Sequence, residues 1–349
     1  MKYLVMTREH GLLPVAHRLT SEGHDVEAIV QKERFEGAWG GKLHKILRNS
    51  KGQLSAPNLE PVAKSAIEAE TVVLTDIGAN KKLVSIFEGA PYLHATLEFQ
   101  FHGMSTAIGG WWDGGAVSAL HLLVFDVGVW PGGLGPALPG GCTLVRIDTV
   151  GPEFEALKAD LEVQLGSVTL DDKPTTFRGL FNFGFGPDEN GTLQLGRAQF
   201  GWPYLQTQAF LSEVEKFGDV LLGQDPVLPE KFVTVIPVSM PPWPCGGSNA
   251  REVVIQPDGK HPALPPMLSG SVFWHDIRVD EETQSISTAG LDGFVSVHRG
   301  AGSYPETARG KALAGATALQ LPEKQYRPDA GTRVPVVLTQ LEHLFGIVV

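Results

Sequence analysis

The sequence predicts a mixed chain, α/β at its N-terminal end and α+β over the remainder, and three observations carry that reading. Lys2–Met6 is a short apolar strand; Leu12, Val15, Ala16 and Leu19 then fall on one helix face, and Gly23-His24-Asp25 turns into a second strand at Val26–Val30. Strand, helix and strand joined by short links predict a right-handed parallel βαβ unit. The second observation is a pair of apolar runs, Phe177–Phe185 and Thr192–Phe200, around the turn-rich Gly186–Gly191, which predicts a hairpin. The third is the change of period after Gly201-Trp202-Pro203: Leu205, Phe210, Leu211, Val214 and Phe217 fall near helical spacing, so one helix is expected over Gln206–Phe217, stopping near Gly218.

Composition bounds what the chain does. At 349 residues it has room for two or three small domains, and 42% hydrophobic with 19% charged residues is a globular balance. The 41 glycines and 25 prolines imply many loops. A formal net charge of −11 argues against a phosphate-backbone interface, so no nucleic-acid partner is expected. With no N-terminal signal pattern and no apolar run near membrane-spanning length, a cytoplasmic protein without a membrane partner is expected. Cys142 and Cys245 lack a CxxC or histidine spacing and read as structural thiols.

Taken in order, Thr71–Thr75 adds a strand and Lys82–Glu88 a helix, so residues 1–90 read as a Rossmann-like N-terminal domain. The glycines of Gly37–Gly41 do not follow the first strand and lack G-x-G-x-x-G spacing, which argues against a phosphate loop. Lys42, Lys45, Arg48 and Lys51 read as a solvated basic face. Residues 91–225 hold the hairpin and its helix. In residues 226–349, Phe232–Val238 and Phe294–Val297 read as strands and Glu306–Leu319 as an amphipathic helix, a small mixed C-terminal domain. The histidines form neither H-E-x-x-H nor an i,i+4 pair, and His102 and His121 read as solvated or core residues.

Arg178-Gly179-Leu180-Phe181, then Phe200-Gly201 with Pro203 and Gln206, and Gln325-Tyr326-Arg327 with Asp329 and Gly331 resemble motifs of the ATP-grasp family of phosphoribosylamine–glycine ligase (glycinamide ribonucleotide synthetase). Arg178-Gly179-Leu180-Phe181 resembles the opening of the family's R-G-(L/V)-L-Y-A-G-L run. Phe200, Gly201, Pro203 and Gln206 match the frame of its R-F-G-D-P-E-x-Q. Leu97-Glu98-Phe99 is similar to part of E-E-F-L, and the glycine and proline skeleton of Trp130–Gly141 is similar to G-D-x-G-P-N-T-G-G-M-G. Gln325-Tyr326-Arg327-Pro328-Asp329-Ala330-Gly331 matches Q-Y-R-x-D-I-G. The likeness runs in order over residues 92–331 and holds at fold level before that, whereas Arg8-Glu9-His10 sits too early to be the family's R-E-H.

The resemblance implies a truncated ATP-grasp domain over residues 91–225 and a C-terminal domain like the family's. Members activate a carboxylate as an acyl phosphate using Mg-ATP, which needs lysines on the triphosphate and carboxylates for the metal. Here L-E-F-N becomes Gln194-Leu195-Gly196-Arg197, R-F-G-D-P-E becomes Gln199-Phe200-Gly201-Trp202-Pro203-Tyr204, and the lysine-bearing segment has no counterpart. A rival alignment of Val72–Lys82 with the family's V-V-K-A-D-G segment recovers only Lys82.

The expectation is a divergent ATP-grasp protein, a pseudoenzyme without ligation, that binds a small anionic or nucleotide-like ligand or a protein partner. Its ligand-binding candidates are Glu98, Arg197, Gln199, Trp202, Tyr204, Gln206, Arg327 and Asp329. No catalytic residue is assigned; the weak metal candidates are Asp188 and Glu189 in the hairpin turn, and Mg-ATP is a cofactor only if the chain is an active ligase with a rebuilt site. A third reading is an assembly protein using Trp111, Trp112, Trp130, Trp202 and Trp243 as interface anchors.

Overall fold

The computed structural model describes residues 1–7, 11–30, 65–66, 68–75, 93–95, 105–147, 152–167, 169–170, 173–174, 178–187, 193–203, 205–245, 253–257, 272–279, 286–288, 290 and 293–345. The chain opens with β1 (Lys2–Thr7), α1 (Leu13–Ser21) and β2 (Asp25–Val30). Proline stands in the first turn of α1, where its missing N–H is no loss, and Leu13, Val15, Ala16 and Leu19 are buried beneath it. β3 (Val72–Thr75) and β4 (Leu93–Ala95) complete a parallel sheet in the order β2-β1-β3-β4. The βαβ expectation is met, and the sheet extends to Ala95. The expected helix at 82–88, the glycines at 37–41, the basic run at 42–51 and Arg8-Glu9-His10 lie outside the described residues.

The main body is one eight-stranded sheet, ordered β11-β10-β5-β6-β7-β12-β17-β14. Its strands are β5 (Thr106–Trp112), β6 (Val117–Val127) and β7 (Pro139–Arg146), then, past α2 (Pro152–Gly166) and the short pair β8 (Thr169–Leu170) and β9 (Lys173–Pro174), β10 (Gly179–Pro187) and β11 (Leu193–Gly201). Two short helices follow, α3 (Gln206–Glu213) and α4 (Phe217–Leu221). β12 (Phe232–Ser239), β14 (Val272–Trp274) and β17 (Phe294–Gly302) extend the same sheet, so strands on both sides of residue 225 share it. β13 (Val254–Pro257), β15 (Ile277–Val279), β16 (Ile286–Thr288) and β18 (Leu319–Gln320) form a small sheet ordered β15-β16-β13-β18. Helices α5 (Pro305–Ala318) and α6 (Val334–Phe345) end the described chain.

The predicted hairpin is present: β10 and β11 pair antiparallel from Leu180 opposite Gly201 to Pro187 opposite Leu193, with an irregularity after Phe183. The predicted single helix after it is not. α3 stops at Glu213 and α4 begins at Phe217, because the intervening backbone is held by the N-terminal unit instead of by its own turn.

Both faces of the main sheet are covered. One carries Ala107, Trp111, Leu123, Phe125, Cys142, Leu144 and Leu180 and packs with α1, α3 and α4. The other carries Ile108, Phe181 and Phe183 against Leu161 and Leu165 of α2, and farther along Leu122, Val124 and Val145 against α5 and α6. α5 lies so close to β17 that a Cβ on Gly300 would stand 2.1 Å from the Ala308 carbonyl and 2.5 Å from the Ala312 nitrogen. These are backbone atoms and cannot turn aside. Gly300→Ala is therefore expected to lift α5 from the sheet and destabilise the fold by about 1–3 kcal/mol, read as a lower urea midpoint with an unchanged denaturant slope.

Candidate functional site

The site is built where the hairpin hands over to α3. β11 ends at Gly201, whose φ of +98° turns the chain sharply, and Leu205 has a φ of +61°, rare for a branched residue. That turn sends the first side chain of α3, Gln206, back into the sheet, where it is fully buried. Its Nε2 donates to the Phe181 carbonyl at 2.9 Å and lies 3.0 Å from His121 Nε2. Its Oε1 accepts from Asn182 Nδ2 at 2.7 Å, and the same Nδ2 donates to Gln199 Oε1 at 3.1 Å.

His121 closes the chain of contacts. Its Nδ1 donates to the Ala119 carbonyl at 2.8 Å, which leaves Nε2 as the acceptor for Gln206. Burial pushes its pKa down to about 4, although the Ala119 contact acts in the opposite direction, so the ring is neutral at pH 7. The arrangement requires Gly109, since a Cβ there would stand 2.6 Å from Gln206 Nε2 and 2.7 Å from His121 Nε2. An aromatic wall borders the network: Trp111 stacks on Phe210 at 5.9 Å, and Trp111 and Trp202 both meet Phe217 edge-on.

The hydrogen-bonding capacity of this wall is incompletely used. Asn182 Oδ1, Gln208 Oε1 and Trp202 Nε1 are buried and have no hydrogen-bond partner among the described residues. A buried amide oxygen without a donor is unfavourable by about 1–3 kcal/mol, which marks it as a point where water or a ligand group belongs. Among the described residues no three His, Cys, Asp or Glu side chains come together as a metal site. Neither β10 (GLFNFGFGP) nor β11 (LQLGRAQFG) contains a carboxylate. The donor set of the hairpin strands therefore does not fit Mg²⁺, which takes hard oxygen ligands.

A second constellation lies across the sheet. Arg327, 4% exposed, donates from Nη1 to the carbonyls of Val127 and Gly128 at 2.6 and 2.9 Å and pairs with Asp329 at 3.1 Å. Asp329 in turn accepts the Gly132 N–H at 3.1 Å. Burial acts to raise the Asp329 pKa, but the Arg327 contact and the Gly132 N–H outweigh it and hold the carboxyl below its usual range. Asp126 accepts the Gly331 N–H at 2.7 Å, and burial pushes its pKa up despite that bond and the Arg327 charge. Residues 325–331 thus strap the loop between β6 and β7.

The structure brings Gln199 and Gln206 together through Asn182, with Trp202 on the adjoining wall, and groups Arg327 with Asp329 elsewhere. Arg197 lies on β11, whose backbone alone is described there. Glu98, Asp188, Glu189, Tyr204 and His102 are outside the described residues. Trp111 and Trp112 are core residues, 2% and 4% exposed, because β5 is an interior strand; Trp130 is 39% exposed. Sequence reasoning missed Asn182 and the part played by His121. The available signal was a lone amide inside the apolar run Gly179–Phe185.

Gln206→Leu is expected to strand His121 Nε2 and one Asn182 donor contact, destabilising the fold by about 1–3 kcal/mol in urea titration. The network also predicts acid lability. His121 titrates near 4 when folded and near 6.5 when unfolded, so between those values the unfolded chain binds the extra proton. Stability is therefore complete above pH 6.5 and falls as pH drops toward 4, and His121→Asn should flatten that part of the profile. An equally steep profile in the variant would refute the neutral, buried imidazole.

No protein-family model matches the chain, and none of the curated proteins matches it. Solved structures do. The phosphoribosylamine–glycine ligase of Thermotoga maritima aligns over 95% of this chain and 100% of its own, at 11% identity and a TM-score of 0.63. The urea carboxylase of Kluyveromyces lactis aligns over 91% of this chain and 30% of its own, at 10% identity and 0.56. The biotin carboxylase domain of a single-chain bacterial carboxylase aligns over 98% of this chain and 100% of its own, at 12% identity and 0.53. At such identities the likeness concerns the fold, and the chain has the mixed α/β fold shared by these ATP-grasp ligase and carboxylase structures.

Proposed function

We propose that the chain is a divergent ATP-grasp protein that has lost ATP-dependent ligation and acts by binding a small polar or anionic ligand at the β10–β11 hairpin. The observation that carries this reading is the chemistry of the hairpin strands. Where the resembling ligases place metal-holding Glu and Asn, β11 has Leu195 and Arg197, and the following turn has Trp202 where they place Asp. Exchanging carboxylates for apolar and cationic groups removes the Mg²⁺ ligands. A triphosphate carries about four negative charges near neutral pH, and desolvating them without a bridging metal is unfavourable by several kcal/mol.

What remains suits a smaller guest. Gln199 is half-buried beside Asn182, and neither the Asn182 Oδ1 nor the Trp202 indole N–H has a partner among the described residues. These neutral donors and acceptors, with Arg197 on the same strand, recognise a small anion or polar group by hydrogen bonds and one charge. The expected outcome is no phosphate release from ATP with any of a panel of amines and carboxylates, and weak ATP binding that magnesium does not strengthen, measured by calorimetry. With inorganic phosphate as the probe, Arg197→Ala and Gln199→Ala should each lower the thermal shift. ATP turnover that disappears in Asp188→Ala or Glu189→Ala would overturn this function in favour of an active ligase with a rebuilt site.

A further inference from the structure

Residues 206–217 have the sequence of one helix, and residues 206–221 have the structure of two. Phe210, Val214, Phe217 and Leu221 recur at the i, i+4, i+7, i+11 spacing of a single buried face, and all four are buried. Neither proline nor glycine occurs between Gln206 and Phe217. Even so, Val214 adopts φ −69°, ψ 120° and Lys216 φ −128°, ψ 77°, and the helix is interrupted over Val214, Glu215 and Lys216. A sequence that satisfies a helix locally and is bent out of it globally marks a place where another part of the molecule supplies the compensation.

That compensation comes from α1 and its neighbours. Arg18 Nη2 donates to the Val214 and Glu215 carbonyls at 2.5 and 2.8 Å. Glu22 accepts the Phe217 N–H at 3.0 Å and the Gly218 N–H at 2.8 Å, so it caps the start of α4, while pairing with Arg18 at 2.7 Å. Tyr3 Oη donates to the Gly218 carbonyl at 3.0 Å. In an unbroken helix the Gly218 N–H would bond the Val214 carbonyl, and the Phe217 N–H the Glu213 carbonyl. Arg18 and Glu22 therefore take the two halves of bonds that the helix would otherwise make with itself. Gly218 admits this docking, because a Cβ there would stand 2.1 Å from His24 Nε2.

We propose that residues 206–221 are a two-state element, held in its broken form by the Arg18–Glu22 pair and converting to one continuous helix when the N-terminal unit disengages. The broken form forgoes the helical backbone bonds at Glu215 and Lys216 and gains the Arg18, Glu22 and Tyr3 contacts, so the docking contacts set the balance between the two states. Phe217 lies between Trp111 and Trp202, and conversion would move it. The position of the N-terminal sheet is thereby communicated to the aromatic wall of the hairpin site. The device does not depend on which ligand that site takes.

The test is NMR on the full chain. In the double variant Arg18→Met, Glu22→Gln, the Cα shifts of Val214, Glu215 and Lys216 are expected to move to helical values, and the indole N–H resonances of Trp111 and Trp202 to shift with them. Adding Glu215→Pro, which follows the extended Val214 (ψ 120°) and cannot continue a helix, should reverse the change at Val214 and Lys216. Gly218→Ala displaces His24, which lies 3.7 Å from Glu22, and raises helix propensity while both members of the Arg18–Glu22 pair are kept, so it should shift the same three residues the same way and serves if the double variant does not fold. Folded variants whose shifts remain non-helical, or whose segment merely loses amide protection, would overturn the proposal.

Discussion

Gln206 enters the main sheet at Gly109, where any Cβ would stand 2.6 Å from its amide nitrogen, and the organisation of that face follows from this entry. Once inside, the amide bonds the Phe181 carbonyl, His121 and Asn182, joining β10 to β6 across the intervening β5 through one side chain. A buried amide is unfavourable unless its hydrogen-bonding atoms are met, and here both Nε2 and Oε1 are met, by three contacts from β10 and β6. The left-handed Leu205 is the local strain that delivers Gln206 to this place. Trp202 and the aromatic wall take their positions from the same turn.

The glycines of the segment after β6 have a packing explanation in this fold. A Cβ on Gly140 would stand 3.0 Å from Arg327 Cδ and 2.5 Å from the Gly128 carbonyl, and one on Gly141 would stand 2.7 Å from the Ala330 Cβ. These glycines admit the strap of residues 325–331. The strap is held further by Arg309, which donates to the Pro328 and Ala330 carbonyls, and by the reciprocal bonds between Ser239 and Gln325. The paired motifs that make this chain resemble the ligases are thus joined physically here, with Arg327 spent on backbone carbonyls and 4% exposed.

The N-terminal unit is joined to the main body by charge and backbone as much as by apolar contact. Arg18 and Glu22 lie on the last turn of α1 and its cap, and their partners lie about 200 residues away in the chain. Partly buried, charge-assisted bonds to backbone groups are stronger than neutral ones and demand a fixed geometry. The same contacts that orient the N-terminal sheet also set the shape of α3 and α4.

Local pattern was enough for much of this. The βαβ unit, the β10–β11 hairpin, β12, β17 and α5 follow from apolar periodicity and turn residues, because each buries a face whose period is written in adjacent residues. The exchange of carboxylates for Leu195, Arg197 and Trp202 could also be read directly. Tertiary structure alone decided the rest. The helix at 206–221 is broken because residues of α1 outcompete its own backbone partners, and no local signal carries that information. Asn182 and His121 join Gln206 because strand order places β10, β5 and β6 side by side, and hydrogen bonds between residues 24 and 85 positions apart depend on that order.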